Sequence, residues 1–414
     1  MLGSQDPNVR LRLAEGGLMA RSPSLTQPFT QTRQDNFRVQ SNIEPFRDFN
    51  VQVEARMQVT NNYSEIFRSV NPLTDVPDFQ SQSAARTGNY SVSFIAIRTA
   101  FDKDDAEVRT PAFRTFESNR NLVRNRLDAE SGRTTSRFDT NAQDAIIPAF
   151  TSAYRGVNAA TSNLSPFPAL PMPNWRVTYS GLNRIPYLQR KLQSVSLSHA
   201  YNGTYTIANY TANTNYDPTF FQLSKSLNDY NNLRPTQSRS EGGSDSIYQP
   251  VYIINSVVIN ERFGPLIGIN FRTKNRWNVR MDYNRERNIQ LAVSNAQITE
   301  LSSQDVSITI GYSKSGMKLP FRDKGRQIVL NNEVQINCNV TIRDTRTVQR
   351  ILDQVGTYTA GMQDIQIRPT ASYVVNQRLN VQLYVEHSRN NPKISSSFRR
   401  TLTRFGVQLR FNLA

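Results

Sequence analysis

The sequence predicts an all-β fold: an antiparallel transmembrane β-barrel of about fourteen strands, with long loops that carry short helices. Three observations predict it. Apolar and polar residues alternate with a period of two over runs of roughly nine to eleven residues, long enough to cross hydrocarbon at a ~45° tilt, whereas strands of soluble proteins average ~5–6. The polar register is filled almost wholly by Arg, Glu, Asp, Asn and Gln, which suits a wet interior. Aromatic residues fall near the ends of the apolar runs, as in the girdles of membrane barrels.

The cleanest run is Val51, Val53, Ala55, Met57 and Val59, alternating with Gln52, Glu54, Arg56 and Gln58. Ile267, Ile269 and Phe271 lead to a turn at Lys274–Asn275, after which Trp277, Val279, Met281 and Tyr283 return. Ile289, Leu291 and Val293 follow, then Val306, Ile308, Ile310 and Tyr312. Val334, Ile336, Cys338, Val340 and Ile342 form another run. Ile365, Ile367, Ala371, Tyr373 and Val375 reach a turn at Asn376–Gln377, and Leu379, Val381, Leu383 and Val385 come back. The last run is Phe405, Val407, Leu409, Phe411 and Leu413. Less regular strands are placed at Asn36–Ile43, Asn50–Thr60, Asn89–Ile97, Asn174–Ser180, Lys191–Asn209 and Pro250–Asn260.

Three segments break the pattern. Asn61–Thr87 is polar, contains Pro72 and Pro77, and reads as a loop. Arg98–Pro173 is long; Phe113, Phe116, Leu122, Val123 and Leu127 have rough helical spacing, and Ala142–Ala153 reads as a second helix. Thr211–Ser246, rich in Asn, Ser and Thr, is a long loop. The chain therefore divides into a poorly ordered segment 1–35, barrel strands over 36–98, a partly helical loop insertion over 99–173, and barrel strands over 174–414 with the loop 211–246. A periplasmic C-terminus places Thr211–Ser246 and Asp344–Asp364 on the outside. Met1–Gly17 has neither an apolar segment nor a small-residue cleavage site; taken literally, the chain is not exported on its own, unless Met1 is not the true start.

Composition narrows the function. Only 37% of the 414 residues are hydrophobic, mean hydropathy is −0.55, and no run approaches the ~18 apolar residues of a membrane helix. Two His and one Cys exclude a disulfide framework and a zinc site built from several Cys and His. The 49 Lys and Arg against 33 Asp and Glu give a net charge of +16. These cations are spread along the chain and not gathered into a stripe, so nucleic acid is not a predicted partner.

No catalytic or cofactor motif is present. Gly311–Lys318 lacks the Lys-Ser/Thr of a phosphate loop, and neither zinc-protease nor serine-hydrolase signatures occur. Asp102, Asp104 and Asp105 form an acidic cluster whose expected role is a solvated loop, with a cation site as the alternative. His199, His387 and Cys338 lie in apolar registers and read as structural. The lumen-facing candidates are Arg56, Arg272, Arg280, Arg343, Arg378 and Arg410, which either keep the interior wet or repel passing cargo and hold partner subunits. The lipid-facing or girdle candidates are Val51, Val53, Phe271, Trp277, Tyr283, Tyr373, Phe405 and Phe411.

Several long strings carry a resemblance. They include EPFRDFNVQVEARMQVTNNYSEIFR (Glu44–Arg68), NYSVSFIAIRTAFDKDD (Asn89–Asp105), FRTFESNRNLVRNRL (Phe113–Leu127) and NWRVTYSGLNRIPYLQRKLQSVSLSHAYNGTYTIANY (Asn174–Tyr210). The stretch from Ile259 to Gly316 belongs with them. From about Asn36 onward the chain resembles the C-terminal part of the SprA (Sov) family of gliding-motility proteins of Bacteroidetes-type bacteria. The resemblance implies an outer-membrane translocon of the type IX secretion system, at the cell surface, in which these strands form part of a much larger single-chain barrel. It implies as partners secreted cargo with C-terminal signals, an outer-membrane shuttle, periplasmic plug subunits and outer-membrane lipid, with no cofactor and no reaction catalysed. The alternatives are a self-contained outer-membrane porin or receptor for small solutes, and a soluble β-rich adhesin or enzyme.

Overall fold

The computed structural model describes residues 9–71, 78–130, 138–213, 237–238, 247–248, 250–323, 326–394 and 397–411. The strands are β1 (Phe29–Phe46), β2 (Phe49–Ser69), β3 (Phe79–Ser93), β4 (Asn174–Tyr179), β5 (Leu192–Ala212), β6 (Gln237–Ser238), β7 (Ile247–Tyr248), β8 (Tyr252–Ile253) and β9 (Ser256–Thr273). They continue as β10 (Trp277–Ala292), β11 (Gln297–Lys314), β12 (Met317–Asp323), β13 (Arg326–Leu330), β14 (Val334–Arg350), β15 (Thr357–Asn376), β16 (Leu379–Pro392) and β17 (Arg400–Phe411). The helices are α1 (Val9–Glu15), α2 (Pro111–Glu130), α3 (Gln143–Arg155) and α4 (Pro186–Lys191).

Thirteen strands form one antiparallel sheet, in the order β1-β2-β3-β5-β9-β10-β11-β14-β15-β16-β17 with β4 and β8 off this path. Its neighbours are sequence neighbours, as the alternating runs joined by short turns require. Among the described residues β1 pairs only with β2, and β17 only with β16. Among the described residues the sheet is open at both edges.

One lane of the sheet is shared by two strands. β2 pairs with β4 over Phe49–Glu54 and with β3 over Met57–Ser69. β5 pairs with β4 over Leu197–Tyr201 and with β3 over Thr204–Thr211. The chain thus leaves the lane after Ser93, builds the helical insertion, and re-enters the same lane at Asn174. Side chains close the ladder at the break. Ser93 Oγ accepts the Arg56 N–H at 3.0 Å and donates to Met172 O at 2.6 Å. Asn174 Oδ1 accepts the Gly203 N–H at 2.8 Å.

Within the insertion, Thr110 caps α2, its Oγ1 accepting the Phe113 N–H at 3.2 Å, and Pro111 occupies the first helical position where its missing N–H costs nothing. Ala112, Phe113, Phe116 and Val123 recur at helical spacing and are buried. α3 begins with Asp144 in its first turn and stops at Gly156, whose φ of 65° suits a residue without a Cβ. The two helices pack on one face of the sheet. Their Phe113, Phe116, Ile146, Ile147 and Phe150 join Tyr205, Ile207, Val257, Ile259, Ile289, Leu291 and Ile298 of the strands in a single core.

Several sequence expectations need correction. The long strands run 12 to 21 residues, not nine to eleven. On β3, β5, β9, β10 and β11 the helical insertion covers the ends that continue past the apolar runs. Asn61–Thr87 is mostly strand: β2 reaches Ser69 and β3 starts at Phe79, and Thr32 Oγ1 donates to Asn62 Oδ1 at 3.0 Å across the pair. Polar side chains hid this because their partners are polar strands, not a core. Asn89–Ile97 ends as strand at Ser93, and Ile97–Thr99 is a 3-10 turn. Asp344–Asp364 is the end of β14, a turn and the start of β15. The segment 1–35, expected to be poorly ordered, holds α1 and the start of β1; Arg10 of α1 is buried against Glu65 and lies over Tyr63 and Phe67. Most of the loop 211–246 lies outside the described residues.

Candidate functional site

Register assigns every strand residue to one of two faces. The pairs Val53–Trp175–Tyr201, Ile269–Met281–Ile308–Val340–Ile367 and Leu383–Val407 all lie on one face, called the apolar face. Residues one position along point to the opposite, polar face. Val51, Val53, Phe271, Trp277, Tyr283, Tyr373, Phe405 and Phe411 share the apolar face. Arg56, Arg272, Arg280, Arg343 and Arg410 share the polar face. Arg378 departs from the expectation: it lies in the two-residue turn between β15 and β16, where Asn376 Oδ1 accepts its N–H at 2.9 Å. The sequence placed this turn one residue early, at Asn376–Gln377, which counted Arg378 with the strand that follows.

The apolar face has two zones. Toward the short-turn end, where β1–β2, β9–β10 and β15–β16 connect and where α4 and the hairpin β12–β13 also lie, most of its aliphatic residues have no protein over them, Val195 beside α4 and Val334 being buried exceptions. Ile267 is 60% exposed and Phe405 85%, and Met281, Val306, Ile342 and Leu383 are exposed too. Trp277 and Tyr312 form a ring pair at the lower limit of this band, with centroids 4.6 Å apart. Toward the other end the same face is sealed by α2, α3 and the segment 95–110. We call this covered zone the shoulder.

A belt of buried ions marks the border between the zones. Arg287 of β10 donates to Glu261 of β9 at 2.9 Å and to Thr99 O at 2.7 Å. Tyr201 Oη donates to the same Glu261 at 2.8 Å and accepts the Ala96 N–H at 2.9 Å. Arg350 of β14 reaches Glu300 of β11 at 2.7 Å, Asp104 at 2.5 Å and Val108 O at 2.9 Å. Arg346 meets Asp104 at 3.0 Å, and Tyr358 Oη donates to it at 3.3 Å. Each charge is answered, as burial demands. Sequence reasoning missed this belt, although a signal existed: Glu261, Arg287, Glu300, Arg346 and Arg350 are charges standing in apolar registers.

The acidic cluster is divided among these tasks. Asp104 serves the two arginines. Asp105 accepts the Arg109 N–H at 2.9 Å and pairs with Arg114; the Arg109 N–H, then Arg114, hold its carboxyl below the usual value. Asp102 accepts the Ala112 N–H at 3.2 Å, yet burial pushes its carboxyl up. The three carboxylates do not converge, and no group of metal-ligating residues occurs among the described residues. His199 Nδ1 lies 2.7 Å from Leu266 O, beside the bulge that Pro265 makes in β9. His387 Nδ1 lies 2.9 Å from Thr403 Oγ1 on the next strand. Cys338 is free and half-buried between β11 and β15.

The polar face is concave where β2, β4, β5, β9 and β10 meet. A cavity of about 660 Å³ there is lined chiefly by Gln52, Glu54, Arg176, Asn202, Arg262 and Glu286. No helix among the described residues is long and apolar enough to cross a membrane, which leaves crossing by strands open.

No family model and no curated protein matches the chain. Among solved structures it is similar to OmpT, an outer membrane protein of Vibrio cholerae, at 8% identity and a TM-score of 0.22, over 93% of this chain and 99% of that one. It is also similar to the RagAB peptide transporter at 9% identity and a TM-score of 0.28, over 90% of this chain and 37% of that one. Likeness at this level carries no argument about function. The chain itself presents, among the described residues, an antiparallel sheet with one apolar and one polar face.

Proposed function

We propose that this chain forms a section of the wall of an outer-membrane β-barrel larger than the sheet itself. We further infer that this barrel is a translocon of the kind the sequence resembles, passing folded proteins with C-terminal signals to the cell surface. The observation that carries the reading is the odd number of lanes. The path from β1 to β17 has eleven strands. Both edge strands therefore run the same way, from the shoulder end toward the short-turn end. Joining them would make a parallel seam in an otherwise antiparallel wall. Backbone groups in hydrocarbon must all be paired, and single-chain bacterial barrels have an even number of antiparallel strands. An odd number of further strands completes such a ring.

Size agrees. Strands ~4.8 Å apart and tilted ~40° take roughly 6.3 Å of circumference each. Eleven would close at roughly 22 Å across the backbone, and a folded 100-residue domain is about 34 Å wide. Thirty-six strands, the largest barrel known, give roughly 70 Å. In this reading the exposed apolar band meets lipid, and the polar face with Arg56, Arg272, Arg280, Arg343 and Arg410 lines the channel. The short turns and the C-terminal strand end lie on the periplasmic side, where plug subunits dock, and the shoulder stands at the cell surface.

The test is an immunoblot of outer membranes with an antibody against Arg399–Ala414. The expected result is a band several times heavier than 47.1 kDa. A band at that mass which alone forms small-solute channels in planar bilayers would overturn it in favour of a self-contained porin. A soluble band would remove the membrane reading altogether.

A further inference from the structure

The apolar band contains a groove at its short-turn end, and the groove has a charged mouth. Its upper part, about 410 Å³, is lined by Phe46, Phe49, Val177, Leu197, Leu266 and Ile267. Leu197 and Val195 point the same way from β5 and lead down into a second hollow of about 350 Å³ between β5 and α4, which ends at Lys274. The two hollows follow one strand face and together run from the belt of ions toward the turns.

The mouth is cationic. Arg190 and Lys191 end α4, Lys274 and Arg276 form the β9–β10 turn, and the Lys274 N–H bonds to Lys191 O at 3.1 Å, which holds the two segments side by side. Arg47 lies in the β1–β2 turn. All five cations are exposed, and none takes part in an ion pair among the described residues. The acids of this stretch are already engaged: Asp48 pairs with Arg184, and Glu44 accepts the Asp48 N–H at 3.1 Å. Ile185, just before α4, and Tyr187 within it face outward, at 43% and 65% exposure, and Lys191 Nζ lies over the Tyr187 ring at 5.3 Å. An aromatic ring, an aliphatic side chain and cations grouped at the end of an apolar band are the furniture of a membrane–water interface.

We propose that this groove binds an anionic phospholipid, with an acyl chain along Val195, Leu197 and Leu266 and the phosphate among Lys191, Lys274 and Arg276. The charge at the mouth and the continuity of the groove with the band select this occupant over a protein segment. The inference rests on reading the apolar band as lipid-facing, and the experiment separates the two.

The test places a photocrosslinking residue at one position of the full-length protein, either Leu197 in the groove or Leu383 on the open band far from it, and reads crosslinks to lipid in vesicles of phosphatidylcholine doped with phosphatidylglycerol. The Leu383 position is expected to crosslink both lipids in the proportion in which they are present. The Leu197 position is expected to enrich phosphatidylglycerol about threefold over that proportion. Lys191→Gln, Lys274→Gln and Arg276→Gln together should erase the enrichment and leave Leu383 crosslinking intact. If Leu383 crosslinks lipid and Leu197 shows no enrichment, or keeps it in the Gln variant, the phospholipid site is wrong while the band reading stands. If Leu383 crosslinks neither lipid, the band reading fails and takes this inference with it.

Discussion

The band and the shoulder are two halves of the same sheet face, built from the same strands with the same period. β10 shows both. Met281 and Tyr283 alternate with Asp282 in the band, and Ile289 and Leu291 alternate with Gln290 in the shoulder. Yet Met281 is 39% exposed and Leu291 is fully buried. Period two therefore reports which way a side chain points and nothing about what lies over it. The difference is written in the charges between the halves. A strand that only meets lipid has no use for Glu261, Arg287, Glu300 or Arg350 in its apolar register, since an unpaired charge in hydrocarbon costs several kcal/mol. Under the shoulder, the same charges find Thr99, Asp104 and the Val108 carbonyl.

The contrast can be broken most severely at the belt. Arg350→Ala strips Glu300 and Asp104 of their shared cation, and truncating one partner of a buried pair costs about 3–5 kcal/mol. The segment 95–110 is expected to become cleavable by added protease at concentrations that leave the wild-type shoulder intact, with the strands still protected.

Next in size is a matched pair of truncations. Phe116→Ala empties a fully buried site, and such changes cost about 3–5 kcal/mol. Leu383→Ala removes a side chain that touches no core and is expected to cost under about 1 kcal/mol in a detergent melt, because detergent covers the residue in both states. Equal losses would mean that the two zones are not different environments.

A substitution on neighbouring residues sharpens the same contrast across the sheet. Ile308→Arg puts a cation on the band, where an Arg costs about 2–4 kcal/mol at the bilayer midplane. Thr309→Arg, one residue along on the polar face, should cost close to nothing in the same bilayer folding titration. If the polar face lines the proposed channel, Arg272→Asp and Arg280→Asp should alter cargo export and leave the amount of inserted protein unchanged, as read by secretion assay and membrane blot. Unchanged export would reduce these residues to wetting the wall.

The smallest effect is a pH response of the shoulder alone. Asp105 has a lowered native value, so its contribution is present above the ordinary Asp value of ~3.9 and is lost as pH falls through the native one. Asp102 has a raised value, so its contribution is present below that ordinary value and is lost as pH rises through the native one. Asp105→Asn should remove part of the acid-side loss, and Asp102→Asn part of the loss on the other side, in the protease assay used for Arg350→Ala.

Much of the sheet was legible because alternation survives wherever one face is apolar. Val51 to Val59, Trp277 to Tyr283 and Phe405 to Phe411 each announced a strand and its facing. The polar end of β2, from Asn61 to Ser64, could not announce itself: its neighbours on β1 and β3 are polar as well, and hydrogen bonding to polar strands leaves no period in hydropathy. The helices of the insertion showed through Phe113, Phe116 and Val123, but nothing in their sequence says that they rest on the apolar face of strands lying far along the chain. That pairing is long-range information, carried by which strand charges have partners. Asp102, Asp104 and Asp105 illustrate it. As a string they looked like one cluster. In three dimensions they are three separate fastenings.

The shared lane of β3 and β4 has a mechanical consequence. The helical unit is tethered by two chain ends that meet the sheet at a single point, β3 ending there and β4 continuing the same line in the same sense. A pull on the helices reaches the sheet at that one place, flanked on both sides by β2 and β5, and not at a free edge. Because exit and re-entry coincide, the insertion also counts as zero strands in the circumference of the wall. A change in its length, or a foreign domain spliced between Glu130 and Phe138, leaves the strand count of the sheet unchanged.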